Sequence, residues 1–304
     1  MKEKSKILEE ILGENKISNF SKNWVNSSNA NEDSIIQVYN LLKTYGLSDE
    51  KIASQAHLLG RDPETIMGHY RFLRDLGLSD KSIATHASLL GLDPETVMDH
   101  YRFLRDLGLS DKSIATHAYL LSRDPETVMG HYRFLKALGL SDKSIASNAH
   151  LLGRDPETIM KYYQHHVGLL REHYKDRNSG RNLLIDNPQL LGISPETMEA
   201  NIQYLHSIGI DYNEDSLLWV MLLGSKPSTK RKKLAWMLRE LFDYRSVPQE
   251  KKKTLINILY GFVRNNPSLL VKSIKTLERK RDKLRERALN YKKIYLDEHH
   301  HTTK

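Results

Sequence analysis

Four consecutive cations, Lys230, Arg231, Lys232 and Lys233, stand just ahead of Leu234, Trp236, Met237 and Leu238. The spacing of those apolar residues predicts a helix, and the cations fall in its first turns. Positive side chains there oppose the helix macrodipole, so something other than helix stability is expected to hold them in place. Contact with phosphate is the chemistry that clustered ammonium and guanidinium groups do best. Arg264, Lys272, Lys275, Arg279, Lys280 and Arg281 extend the same character toward the C-terminus. Residues 201–304 carry 22 basic and 11 acidic side chains, against 24 and 27 in residues 1–200. The formal net charge of +8 therefore arises entirely in the last third. An asymmetry of that kind points to a polyanion as the partner.

A second set of cations is periodic. Arg71, Arg102 and Arg133 recur at a step of 31 residues, and so do Arg74, Arg105 and Lys136. Residues three apart share a helix face, so stacked helices would line them up as two basic ladders. Asp75, Asp106 and neighbouring acids are close enough in sequence to pair with them, and the region is neutral overall. The ladders therefore read either as ligand contacts or as a self-paired, solvated face.

Other chemistries find little support. Cysteine is absent, which removes disulfides, thiolate metal sites and cysteine nucleophiles. No glycine-rich phosphate loop, paired-carboxylate site or nucleophile constellation stands out, so the expectation is a non-enzyme without cofactor or metal. His69, His100 and His131 occur one per repeat and read as surface residues; His299, His300 and His301 read as a frayed end. Tyr70, Tyr101, Tyr132 and Tyr163 form an aromatic series that reads as core. No apolar run approaches the length of a membrane span. MKEKSKILEEILGENK has neither an h-region nor the acid-poor character of a presequence. A cytoplasmic monomer is expected, a mature organellar form being the other option.

The elements that must position these residues repeat. HYRFLRDLGLSDKSIATHA begins at His69 and again, letter for letter, at His100; HYRFLKALGLSDKSIASNA begins at His131. Gly-Leu-Ser recurs at Gly46, Gly77, Gly108 and Gly139. Within one unit, Ser79 is a natural N-cap for a helix carrying Ile83, Ala84, Ala87 and Leu90, with Gly91 as a left-handed stop. Asp93-Pro94-Glu95 then opens a second helix, carrying Val97, Tyr101, Leu104 and Leu107 and stopped by Gly108. Each unit is thus predicted to be two helices of about eleven and fourteen residues. One such pair cannot bury its apolar stripes alone, whereas stacked pairs can. The predicted fold class is all-α, an αα-repeat solenoid forming a curved superhelix of about seven to eight helix-pair repeats.

The organisation follows: a cap and half-repeat over 1–45, with a capping helix at 6–13 and an Asn/Ser-rich loop at 23–31; regular repeats over 46–170; a linker or extended turn over 171–182; looser repeats over 183–245; and a basic repeat over 246–304 ending in a charged helical tail.

SIATHASLLGLDPETVMDHYRFLRDLG resembles the helix-turn-helix of LuxR-type or sigma-type regulators. That resemblance implies a helix from Pro94 entering a major groove, with Asp99 and Arg102 deciding specificity. A second resemblance spans residues 31–285. Pro188-Gln189-Leu190-Leu191, Ser194-Pro195-Glu196-Thr197 and Tyr204-Leu205-His206-Ser207-Ile208-Gly209 resemble the repeat of the mitochondrial transcription termination factor (mTERF) family, as do Pro267-Ser268-Leu269-Leu270 and Ser273. The units between Gly46 and Gly139 depart from it, with Ala56, Ala87, Ala118 and Ala149 in the place of the proline. The mTERF resemblance implies a superhelix that holds DNA or structured RNA on a basic face and acts in transcription or ribosome biogenesis. A third expectation is a scaffold with a protein partner in its concave face.

Overall fold

In the computed structural model, residues 2–13, 25–26, 28–173, 179–207, 223 and 227–300 are described below. Their secondary structure is helical throughout, and the chain divides into two compact units, Met1–Pro156 and Glu157–Lys304. The all-α repeat architecture expected from the 31-residue period is present. None of the helices among the described residues is long and apolar enough to cross a membrane.

The repeat has three segments rather than two. In the unit that starts at Gly77 they are an α-helix Asp80–Thr85, a 3-10 turn Ala87–Gly91 and an α-helix Pro94–Asp106. Ser79 caps the first by accepting from the Ser82 N–H at 3.1 Å. The predicted eleven-residue helix breaks at His86, whose backbone leaves the helical region at φ −112°, ψ 49°. At two of the matching positions the side chain turns back on the helix. His117 Nδ1 and Asn148 Nδ2 each donate to the carbonyl four residues back, on Ser113 and Ser144 at 2.9 Å. The same carbonyls also accept from the backbone N–H of His117 and Asn148, at 3.0 and 3.1 Å, so each is shared between a main-chain and a side-chain donor.

Asn187 and Asn266 make the same bond in the C-terminal unit, to Leu183 and Phe262. There the following residue is Pro188 or Pro267, which brings no N–H and disfavours a helical residue before it. Ala56, Ala87, Ala118 and Ala149 occupy the matching first position of the 3-10 turn, and all four are fully buried. Alanine and proline thus serve one backbone shape at these places.

Repeats in the N-terminal unit stack in register. Leu89, Leu90 and their counterparts Leu120, Leu121, Leu151 and Leu152 lie in the core, and the 3-10 turns of successive repeats pack against one another. His69, His100 and His131 were expected at the surface. Instead each is half-buried or buried and donates from Nδ1 to a carbonyl of the following repeat, on Leu90, Leu121 and Leu152 at 2.9, 2.8 and 2.7 Å. A carbonyl only accepts, so Nδ1 carries the proton in each. Arg61 and Ser82 add bonds of the same kind, to Gly91 O at 2.7 Å and Ala115 O at 3.1 Å.

Two kinds of glycine separate here. Gly46, Gly77, Gly108 and Gly139 have φ between +86° and +104° and close their helices, with Leu78 N bonded back to Leu73 O at 3.1 Å. Gly91 was expected to be another left-handed stop and is not. It is small for packing: a Cβ would meet His57 Nε2 at 3.1 Å. At Gly153, two repeats on, a Cβ would sit 2.2 Å from the Tyr119 ring. The intervening repeat has Ser122 at this position and Ser88 where His57 and Tyr119 stand. Bulk on one repeat is thus matched by a glycine on the next.

The first unit opens with the helix Lys2–Leu12, the expected cap, and the half-repeat helix Glu32–Thr44. Of the Asn/Ser-rich stretch expected as a loop, Val25 and Asn26 are helical and residues 28–31 are not, Ser28 Oγ donating to Val25 O at 2.6 Å; 23, 24 and 27 lie outside the described residues. In the second unit, helices end at His173 and begin at Ser179, so the predicted linker is largely helical at both edges. Much of the looser repeat between 208 and 226 lies outside the described residues. The predicted charged tail is a packed helix, Arg281–His300, which lies along Pro227–Phe242 and Gln249–Arg264. It buries Leu284 and Ala288 and sets Tyr291 edge-on to Phe262, ring centroids 5.8 Å apart.

Candidate nucleic-acid interface

The two ladders of the first unit meet different fates. Arg74, Arg105 and Lys136 are ion-paired with Asp80, Asp111 and Asp142 at 2.8, 2.7 and 2.6 Å. Tyr70, Tyr101 and Tyr132 donate their hydroxyls to the same three carboxylates at 2.7 Å. Lys43, Tyr39 and Asp49 repeat the cluster in the half-repeat. The four tyrosines expected in the core are half-buried, and Tyr70, Tyr101 and Tyr132 have their hydroxyls in this network. The hydrogen bond to Asp111 and then burial push the Tyr101 phenol up; Lys136 and then Tyr132 hold the Asp142 carboxyl down.

Each cation's partner is the first helical residue of the following repeat, not Asp75 or Asp106. The Gly-Leu-Ser turn folds the chain back so that residues six apart meet, a spacing outside the helical rule of three or four. Arg74, Arg105 and Lys136 are thus self-paired where one repeat meets the next. The outer ladder is irregular. Arg102 pairs with Asp99 at 3.2 Å, Arg71 reaches Met67 Sδ at 3.1 Å, and Arg133 is exposed with no ion pair among the described residues.

The cluster at Lys230–Lys233 splits in two. Lys230 is fully buried, and its Nζ donates to Asn201 Oδ1 at 2.6 Å; Asn201 Nδ2 in turn donates to Leu223 O at 2.7 Å. Lys233 is 5% exposed and donates to Leu270 O at 2.5 Å and Val271 O at 3.2 Å, at the end of the 3-10 turn Pro267–Leu270. Neither can meet a phosphate from this position, which corrects the expectation for both. They tie the helix Pro227–Phe242 to its neighbours. The sign was present in the spacing: 230, 233, 234, 237 and 241 form one helical stripe, and Leu234, Met237 and Leu241 on it are buried. Arg231 and Lys232 point the other way and are exposed, Arg231 lying 5.3 Å from the centroid of the Tyr204 ring.

Burial, and then the charge of Lys233, push the Lys230 ammonium down to about 8 from 10.5. Between those values the unfolded chain holds a proton that the folded chain has released, so stability rises with pH across that window. Below about 8 both states are protonated and the contribution is flat. Urea midpoints measured from pH 7 to pH 10 should therefore rise more steeply for the wild type than for Lys230→Met. Parallel profiles would show that Lys230 is not held in a disfavoured charged state.

The remaining candidates stay at the surface. Arg264, Lys275, Arg279 and Lys280 are exposed and Lys272 is half-buried, none with an ion pair among the described residues; Arg281 pairs with Asp282 at 3.3 Å. All lie on one continuous piece of chain: the end of Gln249–Arg264, the 3-10 turn, the short helix Ile274–Glu278 capped by Ser273, and the start of Arg281–His300. Lys283, Arg285 and Arg287 continue the surplus and were not among the expected contacts. Between Arg264 and Arg287 there are nine basic and three acidic side chains. Among the described residues, no group of three or more His, Asp or Glu side chains is placed to hold a metal ion. No family model matches the chain, and no curated protein matches it.

Proposed function

We propose that the chain is a non-enzymatic nucleic-acid-binding repeat protein, similar to the mTERF family, that grips phosphate through the basic segment 264–287 together with Arg231 and Lys232. The observation that carries this reading is the local surplus between Arg264 and Arg287, nine basic side chains against three acidic ones, in contrast to the neutral N-terminal repeats. There Arg74, Arg105 and Lys136 are each supplied with an acid at 2.6 to 2.8 Å. In the segment 264–287 five cations, Arg264, Lys272, Lys275, Arg279 and Lys280, have no acid partner among the described residues. Unpaired like charges repel one another and destabilise the compact state, so a local surplus of this size is expected to have a ligand that neutralises it.

The repeat resemblance supports a role in transcription or in RNA- and ribosome-related processes. Phosphate contacts would supply most of the affinity, and a few side chains the preference for a site. The helix-turn-helix alternative has less behind it. A 3-10 turn precedes Pro94, and Asp99 and Arg102, its specificity residues, pair with each other. The deciding experiment is binding of the full chain to duplex DNA and to structured RNA at low salt, followed by pull-down with and without nuclease. Absence of binding to both nucleic acids ends the proposal, and partners that survive nuclease treatment favour the scaffold.

A further inference from the structure

We infer that the short-helix edge of the N-terminal unit is a second nucleic-acid track, one that takes the backbone of a single strand with one nucleotide per 31-residue repeat. It rests on the reading of the chain as a nucleic-acid binder and adds a separate site to it. Three open grooves lie between successive short helices, with volumes of about 440, 610 and 660 Å³. Corresponding residues line all three. Lys51 and Lys81 line the first, Lys81 and Lys112 the second, Lys112 and Lys143 the third. Each groove thus carries ammonium groups from two neighbouring repeats. Lys81, Lys112 and Lys143 are exposed and make no ion pair among the described residues.

Two details separate this from an ordinary solvated face. The first is what happens to the acids. Asp80, Asp111 and Asp142 also border the grooves, but each is already closed on Arg74, Arg105 or Lys136, so the groove lysines keep their charge uncompensated. The second is the divergent first repeat. It reads Glu50-Lys51 where the next reads Lys81-Ser82. The lysine has moved by one position along the chain, yet Lys51 still lines its groove. Charge in the groove is retained while the residue position is not.

The grooves also offer acceptors. Thr85 and Thr116 donate their hydroxyl protons to Lys81 O and Lys112 O at 2.7 Å, which leaves their oxygens able only to accept. A sugar hydroxyl or a base N–H supplies the matching donor. Clefts of this size, each between helices of six residues, take a group as large as one nucleotide and not the breadth of a duplex.

The test uses the full chain with labelled oligo(dT), oligo(U) and a duplex of mixed sequence, titrated between 50 and 200 mM salt. In the triple variant Lys81→Ala, Lys112→Ala, Lys143→Ala, single-strand affinity should fall about tenfold and the salt slope by about 2, from three lost contacts. Duplex affinity and the unfolding midpoint should not change, and the triple Lys→Arg variant should bind as wild type. Unchanged single-strand affinity and slope in the alanine triple overturn the track, while binding that depends on the 264–287 cations leaves the proposed function standing. Equal losses for duplex and single strands overturn the single-strand assignment. If the wild type binds none of the three at 50 mM salt, both readings fall together.

Discussion

Replacing Lys272, Lys275, Arg279 and Lys280 together with alanine should lower affinity for duplex DNA or structured RNA by about a hundredfold or more near physiological salt. The size follows from counterion release. Each phosphate contact adds roughly 0.9 to the salt slope on a duplex, so four lost contacts flatten it by about 3 to 4. Three of the four side chains are exposed, Lys272 is half-buried, and none has an ion pair among the described residues. Surface substitutions of this kind change stability by about 0.5 kcal/mol or less each, so the variant should fold. The matched control is Arg74→Ala, Arg105→Ala, Lys136→Ala. It removes three positive charges from the N-terminal unit, but these are already neutralised by Asp80, Asp111 and Asp142. Nucleic-acid affinity should stay within about twofold, with at most a small loss of stability, since ion pairs this exposed contribute little. Similar losses in the two variants would mean that total charge, and not the 264–287 segment, governs binding.

Gly153→Ala should be the most damaging single-methyl change in the N-terminal unit. The added carbon would sit 2.2 Å from the Tyr119 ring and 2.6 Å from its hydroxyl oxygen. Tyr119 cannot simply swing away, because it is half-buried and donates to His150 O at 3.3 Å. Overpacking of this kind costs roughly 1–3 kcal/mol. Tyr119→Ser recreates the pair of small residues present one repeat earlier, Ser88 and Ser122. In that background Gly153→Ala should cost little, a coupling of roughly 1–3 kcal/mol in a double-mutant cycle followed by urea unfolding. Gly130→Ala is the opposite control. It lies inside the helix Pro125–Ala137, and a Cβ there meets nothing within 4 Å. That change should stabilise by roughly 0.5–1 kcal/mol. Gly108→Ala, at φ +87°, should cost roughly 1–2 kcal/mol from backbone strain alone. A Gly153→Ala protein as stable as wild type would break the link between bulk on one repeat and glycine on the next.

Much of the fold could be read from the chain, for a physical reason. A 31-residue repeat with Ser79 and Asp93 at helix starts and Gly77 and Gly108 at helix ends fixes the caps, and the apolar stripes fix which faces meet. Three features escaped. The break at His86 is a departure of one residue's backbone from helical angles, which periodicity does not register. The role of Gly91 depends on His57 from the preceding repeat, and intra-repeat patterns carry no such information. The packing of the helix Arg281–His300 was hidden because its charges outnumber its buried residues, Leu284 and Ala288.

The candidate site divides in the same way. Exposure of Lys275, Arg279 and Lys280 agrees with the sequence reading, since no apolar stripe contains them. Lys230 and Lys233 share a stripe with Leu234, Met237 and Leu241, and counting cations without asking which face they occupy hid that. Arg74 and Arg105 find acids six residues on, across a turn whose geometry brings together what helical spacing keeps apart. The groove lysines Lys81, Lys112 and Lys143 went unremarked because each is a single charge in a neutral region, and only stacking places two of them in one cleft.

The most direct measurement is the salt dependence of wild-type affinity for duplex DNA and for structured RNA. Six to ten phosphate contacts predict a loss of about 10³–10⁵ between 50 and 200 mM salt for at least one of them. Affinity that barely changes over that range, or no binding at its lower end, would contradict the claim that this repeat protein holds a polyanion through its basic C-terminal segment.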